Sequence, residues 1–219
     1  MTNFIKYIMK IYYKLFFKVN VKGYENIPKD GGYIIVSNHI SNNDPLVVAV
    51  VIKELIYALG KKELFSNFFT KKLFEWMNVI PVDRKRLDIN AMKESIKVLK
   101  KKEMGLLIFP EGTRNFNEKP IASTPGSTML AYKTKKPIVP ISIDSTYKMF
   151  SKINVTIFEP IYLKKENQGK MKTEDFIEKN NEILEKIYNN MELYKKRSCY
   201  EGKRSEILWV LLWGKKSSR

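Results

Sequence analysis

The sequence predicts a single α/β domain, a mostly parallel or mixed central sheet flanked by helices and preceded by a basic amphipathic helix. Three observations carry this. The 219 residues suffice for one such domain and fall short of two ordinary catalytic ones. Hydrophobic residues make up 44% of the chain, enough to build a core. Short apolar runs alternate with stretches of helical periodicity, the pattern of a sheet covered by helices. The expected division is residues 1–19 as the amphipathic helix, 20–196 as the domain and 197–219 as a basic and apolar tail.

Over residues 4–19, Ile5, Ile8, Ile11, Tyr12, Leu15, Phe16 and Val19 recur at helical spacing, while Lys6, Lys10, Lys14 and Lys18 come every fourth residue. Lysines so spaced wind slowly down one side. Such a helix suits a membrane interface, aromatic residues buried and ammonium groups at lipid phosphates, and equally suits packing on its own domain. Gly31-Gly32 then opens an apolar run at 33–36, which reads as a buried strand ending in Ser37-Asn38-His39. Runs at 79–82, 106–109, 138–143 and 155–158 read likewise as strands. Helical patterns fill 46–53, 68–77, 88–102 and 125–133. Asp88 is the expected N-cap of the third, whose Ile89, Met92, Ile96 and Leu99 form one stripe. A last helix follows Thr173, with Ile177, Leu184, Ile187 and Met191 on one face. Residues 207–213 are an apolar run with Trp209 and Trp213, too short to cross a bilayer.

Forty Lys and Arg against 23 Asp and Glu give a net charge of +17, which directs the surface toward phospholipid headgroups, phosphorylated metabolites or nucleic acid. Neither an RNA-binding aromatic motif nor a helix-turn-helix signal is present, so no nucleic-acid partner is expected. The single cysteine, Cys199, excludes a disulfide framework and a cysteine-based zinc site and points to a reducing compartment. No stretch of about 18 residues is free of charge, so no transmembrane helix is expected. The N-terminus lacks a small-residue cleavage site, and export is not expected.

His39 is the only histidine, and Asp44 follows it by five positions. A carboxylate that accepts one imidazole N–H leaves the other nitrogen as an acceptor, the arrangement of a general base and its orienter. No serine neighbour fits a nucleophile elbow, so the proton such a base takes comes from a substrate hydroxyl. A lone histidine also serves structural roles. The second cluster is Phe109-Pro110-Glu111-Gly112-Thr113-Arg114, directly after the strand at 106–109. Proline and glycine stop the strand and set a tight turn. That turn offers a carboxylate, a hydroxyl and a guanidinium, the side chain best matched to phosphate. A surface turn with a weak Glu–Arg pair has the same sequence.

Taken together, Asn38-His39 through Asp44 and Phe109 through Arg114 resemble the HX4D and FPEGTR motifs of the glycerolipid acyltransferase family. Further similarities fall in order: Val21-Lys22-Gly23, Glu25-Asn26-Ile27-Pro28, Lys62-Glu63-Leu64-Phe65, Ile80-Pro81-Val82-Asp83-Arg84 and Ile138-Val139-Pro140-Ile141. The resemblance covers roughly residues 20–160. Asn78 stands where the family usually has Gly, and Ser123-Thr124-Pro125-Gly126 replaces Phe-Lys-Pro-Gly or Phe-Lys-Lys-Gly. The resemblance implies transfer of a fatty acyl group to the sn-2 hydroxyl of 1-acylglycerol 3-phosphate (lysophosphatidic acid), giving phosphatidic acid. Acyl-CoA or acyl carrier protein is the implied co-substrate, with no resident cofactor and no metal. His39 and Asp44 are the implied catalytic pair, and Arg84, Glu111, Gly112, Thr113 and Arg114 the implied substrate-binding residues. Lys6, Lys10, Lys14 and Lys18 would meet an anionic membrane surface, on the cytoplasmic face of the cell membrane. The alternatives are an acyltransferase for another lysolipid or hydroxylated acceptor, and a non-catalytic lipid- or nucleic-acid-binding module.

Overall fold

The computed structural model of the chain describes residues 2–84, 88–117, 119–163 and 171–192. Cys199 and the apolar run at 207–213 lie outside them. Seven strands form one sheet: β1 (Lys18–Lys22), β2 (Tyr33–Ser37), β3 (Ile56–Lys61), β4 (Val79–Val82), β5 (Gly105–Ile108), β6 (Ile138–Ser145) and β7 (Lys152–Ile157). Their order across the sheet is β1-β7-β6-β2-β5-β3-β4. Strands β2 to β6 run parallel, β7 runs antiparallel to β6, and β1 runs parallel to β7. The sheet is therefore mixed, as expected. The helices are α1 (Thr2–Phe16), α2 (Asp44–Val51), α3 (Phe68–Trp76), α4 (Ile89–Lys100), α5 (Gly126–Thr134) and α6 (Thr173–Asn189).

Alternate residues of the central strands face opposite sides, which divides the core in two. Ile34, Val36, Leu106 and Ile108 pack with Leu99 of α4, Leu130 of α5 and Leu184 of α6. Tyr33, Ile35, Leu107 and Ile141 pack with Tyr13 of α1 and Val47 and Val48 of α2. Both faces of β2 are covered, and all five of its residues are buried. This is why its sequence reads as a continuous apolar run instead of an alternation. Asp88 caps α4 as expected, its carboxylate accepting from the Ala91 amide at 3.0 Å.

The N-terminal segment differs from its expected form. Helix α1 ends at Phe16, and Lys18-Val19-Asn20-Val21-Lys22 is the edge strand β1, paired with β7 from Lys18↔Lys152 to Lys22↔Thr156. A boundary between residues 19 and 20 would cut this strand. The alternating Lys18-Val19-Asn20-Val21-Lys22 pattern has the period of a strand, and the edge of the sheet captures it. Helix α1 is also fastened to the domain. Tyr13 is buried, and the Lys6 ammonium donates to the carbonyls of Ile52, Lys53 (3.0 Å) and Glu54 (2.7 Å) just beyond α2. The opposite side of α1 exposes Phe4, Tyr7, Ile8, Ile11, Tyr12 and Leu15, and α3 exposes Phe68 and Phe69. No helix among the described residues is long and apolar enough to cross a membrane.

Candidate active site

Parallel strands bring their carboxyl ends to one edge of the sheet, where crossovers leave room for a ligand. His39 follows β2, Glu111 follows β5, Arg84 follows β4 and Tyr147 follows β6. Asn38 makes the chain leave β2 at a defined point. Its buried amide donates to the Ile143 carbonyl at 2.9 Å and accepts from the Ile143 N–H at 2.8 Å, completing the ladder with β6 by side chain instead of backbone.

The turn from His39 to Asp44 closes on the Asp44 carboxylate at the first residue of α2. Oδ2 accepts from His39 Nδ1 at 3.0 Å and from the Ile40 and Ser41 amides, each at 2.7 Å. Oδ1 accepts from the Tyr147 hydroxyl at 2.6 Å. Asp44 is fully buried, so these bonds and the positive end of α2 stand in for water around the carboxylate. With Nδ1 donating to Asp44, Nε2 is left as the acceptor. The imidazole side chain is 14% exposed and lies flat on Phe109, centroids 4.2 Å apart at 22°. It therefore keeps access to a reactant.

Glu111 lines the cavity beside the His39 turn and is held by several protein donors. It is buried, and Oε1 accepts from Asn115 Nδ2 at 2.7 Å, the Tyr188 hydroxyl at 2.9 Å and the Ile121 amide at 3.2 Å. Oε2 faces the His39 backbone N–H at 3.4 Å. Protein donors occupy this carboxylate, so Glu111 braces the His39 turn against α6. Asn115 reinforces the brace from the other side, its amide donating to the His39 carbonyl at 2.7 Å.

Gly112 turns the chain in the left-handed region at φ 65°. Its carbonyl accepts a hydrogen bond from Arg84 Nη1, which brings the second and third motifs together. Burial pulls the Arg84 guanidinium below its ordinary value, opposed by Glu63, and the group remains a cation near neutral pH. The turn before β4 needs a left-handed residue too. Asn78 supplies it at φ 57°, and asparagine is among the few residues able to replace glycine there. Thr113 and Arg114 are exposed, and the Arg114 guanidinium lies over the Phe116 ring at 5.7 Å.

Beneath Arg84 and Gly112 opens a cavity of ≈ 450 Å³ between β4, α4, β5 and α5, its walls mostly apolar, including Leu59, Val82, Met92, Ile108, Met129 and Leu130. Phe109 and Thr113 line it as well. Phe109 thus touches both this cavity and the His39 ring. Thr124 also lines it, while Ser123 turns inward and donates to Asn181 on α6 at 2.8 Å. Among the described residues no group of three or more His, Cys, Asp or Glu is arranged to hold a metal.

Of the four lysines, Lys10, Lys14 and Lys18 are exposed, and Lys6 is the ammonium fastened to the end of α2. Burial lowers the Lys6 pKa. The sequence reading passed over Tyr147, Asn115 and Tyr188, whose contacts come from the strand order and the docking of α6 and which belong to no local motif.

Comparison with known proteins identifies what the chain is similar to. The family described as Acyltransferase matches residues 18–144. A 1-acyl-sn-glycerol-3-phosphate acyltransferase of Bacillus subtilis is 30% identical over 168 residues, 74% of this chain and 83% of that protein. One from Borreliella burgdorferi is 36% identical over 138 residues, 62% of this chain and 54% of that protein. The crystal structure of the 1-acyl-sn-glycerophosphate acyltransferase PlsC from Thermotoga maritima superposes with a TM-score of 0.66 at 26% identity, covering 86% of this chain and 80% of that one. The family match takes in more than half of the sequence, from the edge strand through the His39 turn and the Arg84–Gly112 contact to β6, and on that extent the chain belongs to the acyltransferase family.

Proposed function

We propose that this protein transfers a fatty acyl group from an acyl thioester, acyl-CoA or acyl carrier protein, to the sn-2 hydroxyl of 1-acylglycerol 3-phosphate, releasing phosphatidic acid and a free thiol. The observation that carries this is the pairing of His39 with a buried Asp44 beside an apolar cavity, with Phe109 touching both. The names of the relatives agree with it.

In this reaction His39 Nε2 takes the proton of the acceptor hydroxyl as that oxygen attacks the thioester carbonyl. The tetrahedral intermediate collapses with cleavage of the carbon–sulfur bond, and the thiolate recovers the proton from the imidazolium. Asp44 holds the ring in the required tautomer and stabilises the cation that forms. No covalent acyl-enzyme forms. The apolar cavity fits a hydrocarbon chain, and among the described residues Arg84 and Arg114 offer guanidinium groups to phosphate. Holding hydroxyl and thioester in register supplies a large part of the rate, up to roughly 7–11 kcal/mol in favourable intramolecular cases.

Acceptor and product are lipids, so the site must work at a membrane. The exposed apolar face of α1, with Lys10 and Lys14 beside it, meets that need without crossing the bilayer. A basic surface and a thioester donor both favour the cytoplasmic leaflet.

The test is mass spectrometry of products after incubation with lysophosphatidic acid and each thioester donor in turn. Phosphatidic acid should form with the native protein and not with His39→Ala of native circular dichroism. Substantial turnover by folded His39→Ala would overturn the mechanism. A panel of other lysolipids, included because Ser123-Thr124 replaces the usual Phe-Lys, separates this acceptor from its relatives.

A further inference from the structure

Asp44 Oδ1 has one hydrogen-bond donor among the described residues, the Tyr147 hydroxyl at 2.6 Å. Asp44 is fully buried, so no water replaces that donor if it is lost. The other oxygen is fixed by the Ile40 and Ser41 amides and by His39. A carboxylate turns readily about its last single bond. It is immobilised when both oxygens are held, and the Oδ1 contact comes from Tyr147.

Tyr147 is itself strongly constrained. It sits just after β6 with φ 53°, a left-handed backbone that a bulky residue adopts only under constraint. Its amide donates to Ser145 Oγ at 3.0 Å, and that hydroxyl donates to the Lys152 carbonyl at 3.0 Å, so the turn into β7 holds the strain. Its ring meets Phe17 edge-on at 6.4 Å. Burial, and then the Asp44 charge, push the phenol far above its ordinary value, so it stays a donor across the neutral range.

We propose that Tyr147 is a positioning residue of the His39–Asp44 pair, holding the carboxylate plane so that Oδ2 remains aimed at Nδ1. It acts through Asp44 and touches no substrate. Its role in turnover rests on the acyl-transfer reading above, while its effect on the imidazole does not.

Two measurements separate the cases. Because His39 is the only histidine, its ring nitrogen resonances are assigned without ambiguity in protein free of an affinity tag. In Tyr147→Phe, which removes one hydroxyl, the Nδ1 proton signal should shift or broaden by exchange at fixed pH, with near-native circular dichroism. With lysophosphatidic acid and an acyl thioester, kcat should fall about 10-fold to 100-fold with KM for both substrates within twofold of native. Combined with Asp44→Asn, Tyr147→Phe should cost nothing further, because both changes remove the same orientation. Native imidazole signals in Tyr147→Phe, or losses that multiply fully in the double variant, would overturn the proposal. Absence of turnover in the native protein with altered imidazole signals in Tyr147→Phe would refute the acyl-transfer reading and leave the positioning role standing.

Discussion

Asn38 replaces a backbone rung of the sheet with its side chain, giving and receiving a hydrogen bond with Ile143. The consequence is a strand that ends at Ser37, two residues before the histidine, and a histidine that leaves the sheet in a fixed direction. Asn38→Ala strands the Ile143 N–H and carbonyl in a buried position. At about 1–3 kcal/mol for each unsatisfied group, partly relieved by relaxation, the variant should lose about 2–4 kcal/mol. Denaturant unfolding measures this, and an unchanged midpoint would show that the backbone closes the ladder unaided.

Asp44→Asn keeps the size of the side chain and removes its charge. The amide offers one acceptor where the carboxylate receives the imidazole and two backbone N–H groups. Either the ring or the turn then loses its partner, and a wrong tautomer cannot take a proton through Nε2. By analogy with other histidine–carboxylate pairs, kcat should drop on the order of 10³-fold or more while KM changes little. A loss below tenfold in steady-state assays would mean that the ring is oriented without Asp44.

Much of this site was legible in the sequence because the chemistry lies in short contiguous segments. His39 and Asp44 share one turn, and Glu111 and Gly112 another. Partners across the sheet left no such trace: Tyr147 reaches Asp44 only because β6 lies next to β2, and Tyr188 reaches Glu111 only because α6 folds back over β2 and β6. The donors to Glu111 are illegible for the same reason, since Tyr188 and Ile121 stand on other segments of the chain. Strand β3 leaves little trace in the sequence because Ala58 and Gly60 are poor strand formers. Gly60 is needed there, as a Cβ would lie 2.4 Å from Val79 Cγ1 on β4. Edge strand β1 resembles the end of a helix in sequence because its lysines continue the four-residue spacing of α1.

The structure divides the N-terminal lysines into two kinds, and this changes how membrane binding is tested. Deleting residues 1–19 would remove the buried Tyr13 and the first two residues of the paired strand β1, so a loss of function would report damage to the fold. Lys10→Glu with Lys14→Glu alters exposed groups only. If each lysine near an anionic surface contributes about 1 kcal/mol, reversing both should weaken binding to phosphatidylserine-containing vesicles by about tenfold or more. Thermal stability should stay within a degree or two. Lys6→Met should do the opposite, lowering stability by uncapping Ile52, Lys53 and Glu54 while leaving vesicle binding near native. Vesicle sedimentation and thermal melts together check both halves.

Buried phenols set the alkaline limit of the fold. Tyr13 and Tyr33 are 2% and 3% exposed, and burial raises both well above the ordinary phenol value near 10. A raised folded-state pKa gives stability that is complete below about pH 10 and is lost as pH climbs toward the folded value, because the unfolded chain ionises first. Each phenol that stays protonated in the fold removes about 1.4 kcal/mol per pH unit above 10. With Tyr147, whose phenol is raised likewise, the three should give a decline approaching about 4 kcal/mol per unit above pH 10, measured by denaturant unfolding at pH 10 and 11. Tyr33 carries a second cost, since its buried hydroxyl has no hydrogen-bond partner among the described residues. Removing an unsatisfied buried hydroxyl at constant ring volume relieves a desolvation penalty of about 1 kcal/mol or more. Tyr33→Phe should therefore be more stable than the native protein at pH 7 and lose stability less steeply above pH 10. A destabilised variant at neutral pH would mean that the hydroxyl makes a bond worth more than its burial costs.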